Sequence, residues 1–265
     1  MSEKHFSGAV PQFYDRYLQP IMSAPYGEEI VDRAAALAPA AILETACGTG
    51  SVTIPLAKAL PNAQIIATDI SEDMIAYAKT KAEAAAIAWS QADACDLPFA
   101  PHSFDLVLAE FGAMFYPDKV KAFAEAKRVL RPQGSFLFSV WEDLSKNELP
   151  RLVLETVAAM FPDDPPTYTR RLPFGYGDRD RLERDLRAGG FATIAIEASR
   201  KMLKVAKARD VAIGFCQGGG LRGEIEGRDP DGVPRATDLV EAAVKQRFGG
   251  SSFEVSGQAL FVTAS

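Results

Sequence analysis

The chain has 265 residues, with 29 Lys and Arg against 35 Asp and Glu for a net charge of -6 at pH 7, and 48% of its residues are apolar. That length and apolar share suit one globular domain with insertions, and the acidic balance, with no Lys/Arg cluster, excludes a nucleic-acid groove from the expected functions. Cys47, Cys95 and Cys216 stand singly and only two histidines are present. No metal site is therefore expected, and without a signal-peptide core or an apolar run of bilayer length the expected setting is cytoplasmic, with no membrane insertion.

In chain order, residues 1–40 read as an N-terminal helical segment. Phe13 to Leu18 and Ile30 to Leu37 are its helices, with Pro20 and Pro25 as breakers between them. Ala41 begins a short apolar strand carrying Glu44 near its end. A Gly-rich turn through Gly48 and Gly50 follows, then a helix that Ser51 or Thr53 can cap. Gln64 to Asp69 is a second strand, Glu72 to Ala86 an Ala-rich helix, and Ala88 to Ala92 a short third strand. After a turn at Pro98 to Ser103 come a buried strand (Phe104 to Ala109), an amphipathic helix (Lys119 to Leu130) and a fifth strand (Ser135 to Val140). Beyond it, helices are expected at Glu148 to Met160, Asp180 to Ala188 and Asp238 to Phe248. Further strands are expected at Thr193 to Leu203 and Ser252 to Thr263. Strand and helix alternate, which predicts a doubly wound, Rossmann-like α/β sheet that is mostly parallel, with ligands at the carboxyl ends of its strands.

The turn selects the kind of ligand. A dinucleotide fingerprint needs three glycines and this turn has two; no Gly-Lys-Ser/Thr follows, so a phosphate loop is excluded too. Glu44 beside the turn would repel pyrophosphate and suit a cation. S-adenosyl-L-methionine, with its sulfonium, ammonium and ribose and no phosphate, fits. Asp69, about 20 residues beyond the turn and at a strand end, is where a ribose-binding acid is expected, although capping the helix near Ser71 is its other reading.

Five segments together resemble the ordered motifs of class I S-adenosylmethionine-dependent methyltransferases, in the small-molecule branch that includes ubiquinone and menaquinone biosynthesis enzymes. They are Glu44-Thr-Ala-Cys-Gly-Thr-Gly50, Ala67-Thr-Asp-Ile-Ser-Glu-Asp-Met74, Gln91-Ala-Asp-Ala-Cys-Asp-Leu-Pro-Phe99, Ser103-Phe-Asp-Leu-Val107 and Ala126-Lys-Arg-Val-Leu-Arg-Pro-Gln-Gly134. The departure is Ala46, where the family usually has glycine; alanine is small enough to be expected to change little.

The resemblance implies that Glu44 and the backbone from Ala46 to Gly50 hold the methionine part. It implies Asp69, in a motif with Ile70 and Met74, for the ribose, and Asp93 with Ala94 for the adenine edge. It also implies that the N-terminal segment lies over the cofactor, with Tyr14, Tyr17 or Tyr26 at the methionine carboxylate. An antiparallel last strand at 252–263 would complete seven strands around a core at 41–140, leaving 142–178 and 204–237 as insertions over the strand ends. Phe111, with Met114 and Phe115, either flanks adenine or packs on the next helix.

The expected reaction is in-line methyl transfer to a small-molecule acceptor, in which alignment supplies most of the catalysis. Glu110 at the fourth strand end is the candidate general base, ahead of His5 and His102. Trp141 and the Gly-rich stretch ending in Arg222 are the acceptor-site candidates, Arg222 either meeting an acidic acceptor or pairing with Glu224 or Glu226 in a solvated loop. Cys216 has no histidine partner and reads as buried. Two alternatives stand beside this reading: a non-catalytic binder of S-adenosylmethionine or S-adenosylhomocysteine, and a nicotinamide-dependent oxidoreductase.

Overall fold

A computed structural model describes residues 8–81 and 87–265. Its sheet contains β1 (Ala41–Thr45), β2 (Gln64–Asp69), β3 (Ile87–Gln91), β4 (Phe104–Glu110), β5 (Leu130–Trp141), β6 (Ile194–Val205) and β7 (Phe253–Ala264). Their order is β3-β2-β1-β4-β5-β7-β6. β1 to β5 pair in parallel, and β7 runs antiparallel between β5 and β6. This is the expected seven-stranded sheet, with its order reversing between β1 and β4, the place where such folds open a ligand crevice.

The burial of each strand follows from its place. Leu106, Val107, Leu108 and Ala109 of β4 are all fully buried, as befits a central strand with helices on both faces. β6, at the edge, alternates or is exposed along most of its length. Registers Glu44↔Leu108 and Thr45↔Thr68 hold the ends of β1, β2 and β4 level. Glu44, Asp69 and Glu110 therefore converge on one rim of the sheet.

The N-terminal segment differs from expectation. Residues Val10–Phe13, Tyr14–Leu18 (a π-helical turn), Gln19–Met22 and Ala24–Ala36 are helical with little interruption, and Pro20 and Pro25 sit in the first turns of their helices. Proline in a first turn removes an N–H that has no intrahelical partner anyway, so these prolines start helices instead of breaking one. The helix beginning at Glu72 is described to Lys81, and the rest of its expected length lies outside the described residues. His5 also lies outside them.

Helix Lys119–Val129 is capped by Asp118, whose side chain accepts from Lys121 N, and it buries Ala122, Phe123, Ala126 and Val129. Asp178 caps Arg179–Ala188 in the same way. The stretch 204–237 is more regular than its glycines imply. After β6, helices Ala208–Gln217, Leu221–Arg228 and Gly232–Phe248 follow one another, so the last begins six residues before the expected Asp238. Gly214 and Gly218 have a structural reason. A Cβ at either would lie 3.0 Å from backbone atoms of the π-helical turn, so glycine lets helix Ala208–Gln217 cross that turn closely.

Candidate functional site

The turn after β1 is built on unusual backbone. Ala46, Gly48 and Gly50 all have positive φ, at 54°, 54° and 75°. Asp69 locks this turn to β2: its Oδ2 accepts from Gly48 N at 2.8 Å and its Oδ1 from Ser71 N at 2.9 Å. It orders the start of the next helix, and it also borders the cavity beside the turn. Burial raises its pKa, against the backbone amides of Ser71, Gly48 and Ile70, which pull it down.

Thr53 and Ser51 do not cap the first helix. Thr53–Ala59 begins after Val52 with no side-chain cap.

A cavity with about 1320 Å3 of empty space, counted out to its mouth, opens at the carboxyl ends of β1, β2, β4 and β5. It brings together Tyr14, Ala46, Gly48, Asp69, Ile70 and Met74, and on its other side Asp93, Ala94, Glu110, Phe111 and Trp141. A Cβ on Gly48 would meet no protein atom within 4 Å, so this glycine leaves open space where a ligand can reach the backbone.

Four expected site residues lie elsewhere. Glu44 is 1% exposed and sits behind the cavity wall. Gly50 faces the ring of Trp89, which a Cβ there would approach to 2.9 Å, so its role is packing. Tyr17 stacks on Phe13, away from the cavity. Arg222 is paired with Glu226 at 2.8 Å and does not line the cavity, so the solvated-pair alternative is the one observed. Of the other two tyrosines, Tyr14 borders the cavity and holds Ser23 Oγ at 3.2 Å, whereas Tyr26 is fully buried beneath it.

Behind and within the wall lies a pair of acids. Glu44 Oε2 and Glu110 Oε1 are buried without a hydrogen-bond partner. Burial first, and then Asp69, pushes Glu44 up to about 8; the nearby Thr53 hydroxyl, outside hydrogen-bond geometry, offsets part of this. Glu110 stands against Gly27, whose Cβ position is 3.2 Å from Glu110 Oε1. Burial and the neighbouring Glu44 raise it well above the carboxylate range. Among the described residues no Lys, Arg or His lines the cavity, so these acids meet no protein counter-charge there.

The far wall was not visible in the sequence. Leu18 and Met22 come from the N-terminal helices, and Tyr168, Phe174, Phe215 and Leu221 come from the two insertions. An apolar side chain facing a cavity has the same local pattern as one facing the core, so only the tertiary fold distinguishes them. Glu224, expected as a partner for Arg222, instead accepts from Thr167 N at 2.7 Å and Tyr168 N at 2.8 Å. It thereby fastens one insertion to the other. Cys216 is fully buried with its pKa pushed up to about 12 by desolvation, as its lack of a histidine partner implied.

A methyltransferase-domain family matches residues 42–134. Demethylmenaquinone methyltransferase of Staphylococcus carnosus is 31% identical over 170 residues, covering 59% of this chain and 69% of the relative. Malonyl-[acyl-carrier protein] O-methyltransferase of Hahella chejuensis is 37% identical over 118 residues, 44% of this chain, and the chain spans only 42% of that relative. Among solved structures, phosphoethanolamine N-methyltransferase 2 of Haemonchus contortus in complex with S-adenosyl-L-methionine superimposes with a TM-score of 0.58 at 19% identity, over 97% of this chain and 56% of that one. At that identity the superposition speaks for the fold alone.

Proposed function

The chain belongs to the class I S-adenosylmethionine-dependent methyltransferases, and on that footing we propose that it methylates a small-molecule acceptor held in the cavity at the carboxyl ends of β1, β2 and β4. One observation carries the assignment of the cavity: buried, unpartnered carboxyl oxygens of Glu44 and Glu110 beside a wall without a cation. A ligand bearing ammonium and sulfonium charge supplies what those oxygens lack, and an anionic dinucleotide would worsen the repulsion. The open space over Gly48 fits the same ligand.

In this reading the Ala46 to Gly48 backbone takes the methionine end, with Glu44 acting only through its charge from behind the wall, Asp69 takes the ribose, and Asp93 and Ala94 the adenine. Asp69 and Asp93 each already hold one or two backbone amides, at 2.8 to 2.9 Å, and so are fixed in place before any ligand arrives. When bound, S-adenosylmethionine supplies a methyl group on sulfonium sulfur: the acceptor's lone pair forms the new bond to carbon as the carbon–sulfur bond breaks, its electron pair staying with sulfur.

Glu110, lining the cavity at the end of β4, takes the proton that the acceptor loses. The cavity walls exclude water and hold the acceptor in line. The relatives carry different acceptors in their names, demethylmenaquinone, malonyl-[acyl-carrier protein] and phosphoethanolamine. Membership therefore fixes the methyl donor, while the acceptor depends on the wall.

Calorimetric titration with S-adenosylhomocysteine, followed by turnover with an acceptor panel, tests the reading. Binding is expected, weakened by about 1–3 kcal/mol in Asp69→Asn through loss of charge-assisted hydrogen bonds. Glu110→Gln is expected to lower kcat by roughly 10²- to 10⁴-fold at nearly unchanged S-adenosylhomocysteine affinity. Because a base must be ionised and Glu110 is raised, the parent's kcat should rise with pH through that group's pKa, and the Gln variant should lose the dependence. A protein that binds neither cofactor form is not a methyltransferase using this cavity; one that binds but gives no turnover with any acceptor is the non-catalytic alternative.

A further inference from the structure

The cavity and its wall hold more negative charge than the cofactor answers. Asp69 and Asp93 already accept the backbone amides of Gly48, Ser71 and Cys95, at 2.8 to 2.9 Å. Glu44 Oε2 and Glu110 Oε1, by contrast, are buried with no hydrogen-bond partner. S-adenosylmethionine carries ammonium and sulfonium charges against one carboxylate of its own, so it brings a single net positive charge to this pair. Glu44 stands behind the wall at the turn that takes the methionine end, and the cofactor's charge answers it there. Glu110 is left over. It lines the cavity from the end of β4, where a Cβ on Gly27 would stand 3.2 Å from its Oε1 and where the Gly27 amide is already given to Ser23 O at 2.9 Å.

A second acceptor of hydrogen bonds faces the same space. Tyr14 and Ser23 both line the cavity, with their hydroxyl oxygens 3.2 Å apart. Ser23 Oγ donates to Gln19 O at 3.5 Å, so the phenol is the donor of the Tyr14–Ser23 pair, and the Tyr14 oxygen keeps its lone pairs for a donor in the cavity. Burial and then the Glu110 charge raise the Tyr14 phenol's pKa, which places the two groups within electrostatic reach of each other. Among the described residues no Lys, Arg or His lines the cavity, and no group of His, Cys, Asp and Glu is placed to hold a metal ion. What completes this corner is an organic cation with more than one N–H donor. A hydroxyl would supply one hydrogen and no charge, and a carboxylate would supply neither and add to the repulsion.

We infer that the acceptor is an amine that enters as its ammonium ion, donates one N–H to Glu110 and another to the Tyr14 oxygen, and is methylated at that nitrogen. This rests on the methyl-transfer reading, and it adds the acceptor's charge and the atom that is methylated. The ammonium passes a proton to the Glu110 carboxylate, which also removes the charge that would repel the sulfonium. The freed nitrogen lone pair forms the bond to the methyl carbon as the carbon–sulfur bond breaks, its electron pair staying with sulfur. An N-methylammonium ion and S-adenosylhomocysteine leave, and Glu110 returns its proton to water.

Hexylammonium, hexan-1-ol and hexanoate, which differ in the terminal group, separate the possibilities. Each is titrated calorimetrically at neutral pH into the free protein and into protein saturated with S-adenosylhomocysteine. Hexylammonium is expected to bind the saturated protein about tenfold or more tightly than hexanol, with hexanoate weakest. Glu110→Gln, shown to be folded by its own S-adenosylhomocysteine affinity, is expected to erase that preference, and Tyr14→Phe to reduce it. Hexanol or hexanoate binding the saturated parent as tightly as hexylammonium overturns the inference, as does absence of hexylammonium binding or a preference that survives in Glu110→Gln. A preference present in the free protein and lost on saturation also overturns it, because Glu110 would then serve the cofactor's ammonium. The S-adenosylhomocysteine titration reports separately: if it fails while the free protein keeps the ammonium preference, the methyl-transfer reading is lost and the cation site stands.

Discussion

Ala46 has φ 54°, in the left-handed region that costs an L-residue roughly 1–2 kcal/mol and that glycine enters freely. The substitution of alanine for the family's usual glycine is therefore not neutral, as its small size alone implies, and Gly112 accommodates it. A Cβ on residue 112 would come within 2.6 Å of Ala46 Cβ. Strain of this kind gathers beside ligand sites, and Phe111, at φ 47° just past the neighbouring strand β4, is a second instance. Gly112→Ala should therefore destabilise the protein by about 1–3 kcal/mol through overpacking. In an Ala46→Gly background the same change should be nearly silent, because its collision partner is gone. Chemical denaturation of the two single variants and the double gives the coupling directly; additive effects would show that the two positions do not compete for one space. Gly48 differs in that its Cβ direction is empty, although its φ of 54° places the same backbone strain on any side chain there. Gly48→Val should leave far-ultraviolet circular dichroism intact yet abolish S-adenosylhomocysteine binding, and normal affinity would mean that this turn does not approach the ligand.

At the scale of elements, the two insertions meet through Glu224. Its carboxylate takes the backbone amides of Thr167 and Tyr168, and Gly220 packs so closely on the Tyr168 ring that a Cβ there would come within 2.2 Å. Arg228 adds a second tie, to the Asp164 carboxylate at 3.0 Å. Glu224→Ala should therefore free the 167–168 amides, seen as faster hydrogen exchange, and raise the acceptor KM by about tenfold while cofactor affinity stays. Unchanged exchange would assign the fastening to Arg228 and packing alone. None of this was legible in the sequence, where Glu224 was only a partner for Arg222, because a carboxylate chooses between a side chain two residues away and amides 57 and 56 residues away according to the fold. The sheet was far more readable. Gln64–Asp69 matches its expected bounds, and β4 is one residue longer than expected, because a buried central strand writes its apolar run locally. Acids at strand ends follow from that register, so Asp69, Asp93 and Glu110 were found, whereas Leu18 and Phe215 reach the same cavity from segments nearly 200 residues apart. Glu44 shows the limit of the rule: it precedes the last residue of β1 and is turned inward, behind the wall.

For the molecule as a whole, the acid pair couples stability to pH and to the ligand. Glu44 has its pKa raised from 4.5 to about 8, chiefly by burial, so the folded state holds a proton that the unfolded chain releases. Stability from this group is therefore full below about pH 4.5 and is lost progressively as pH rises toward 8. Asp69 on β2 adds to this rise, Thr53 on the following helix offsets part of it, and Glu110 on β4 is itself raised by burial and by Glu44, with no cation opposing them. A cationic ligand reverses the balance. It favours the ionised pair, so its binding releases protons, and the stabilisation it confers should grow over the interval in which the free protein weakens. Thermal denaturation of the parent and of Glu44→Gln across this range, with and without saturating S-adenosylmethionine, tests the coupling. The free parent should lose melting temperature relative to Glu44→Gln as pH rises, because the amide stays neutral throughout, and the ligand should narrow the gap. Parallel curves for the two proteins would mean that Glu44 ionises as readily in the folded chain as in the unfolded one, and the buried acid pair would then play no part in drawing a cation to this site.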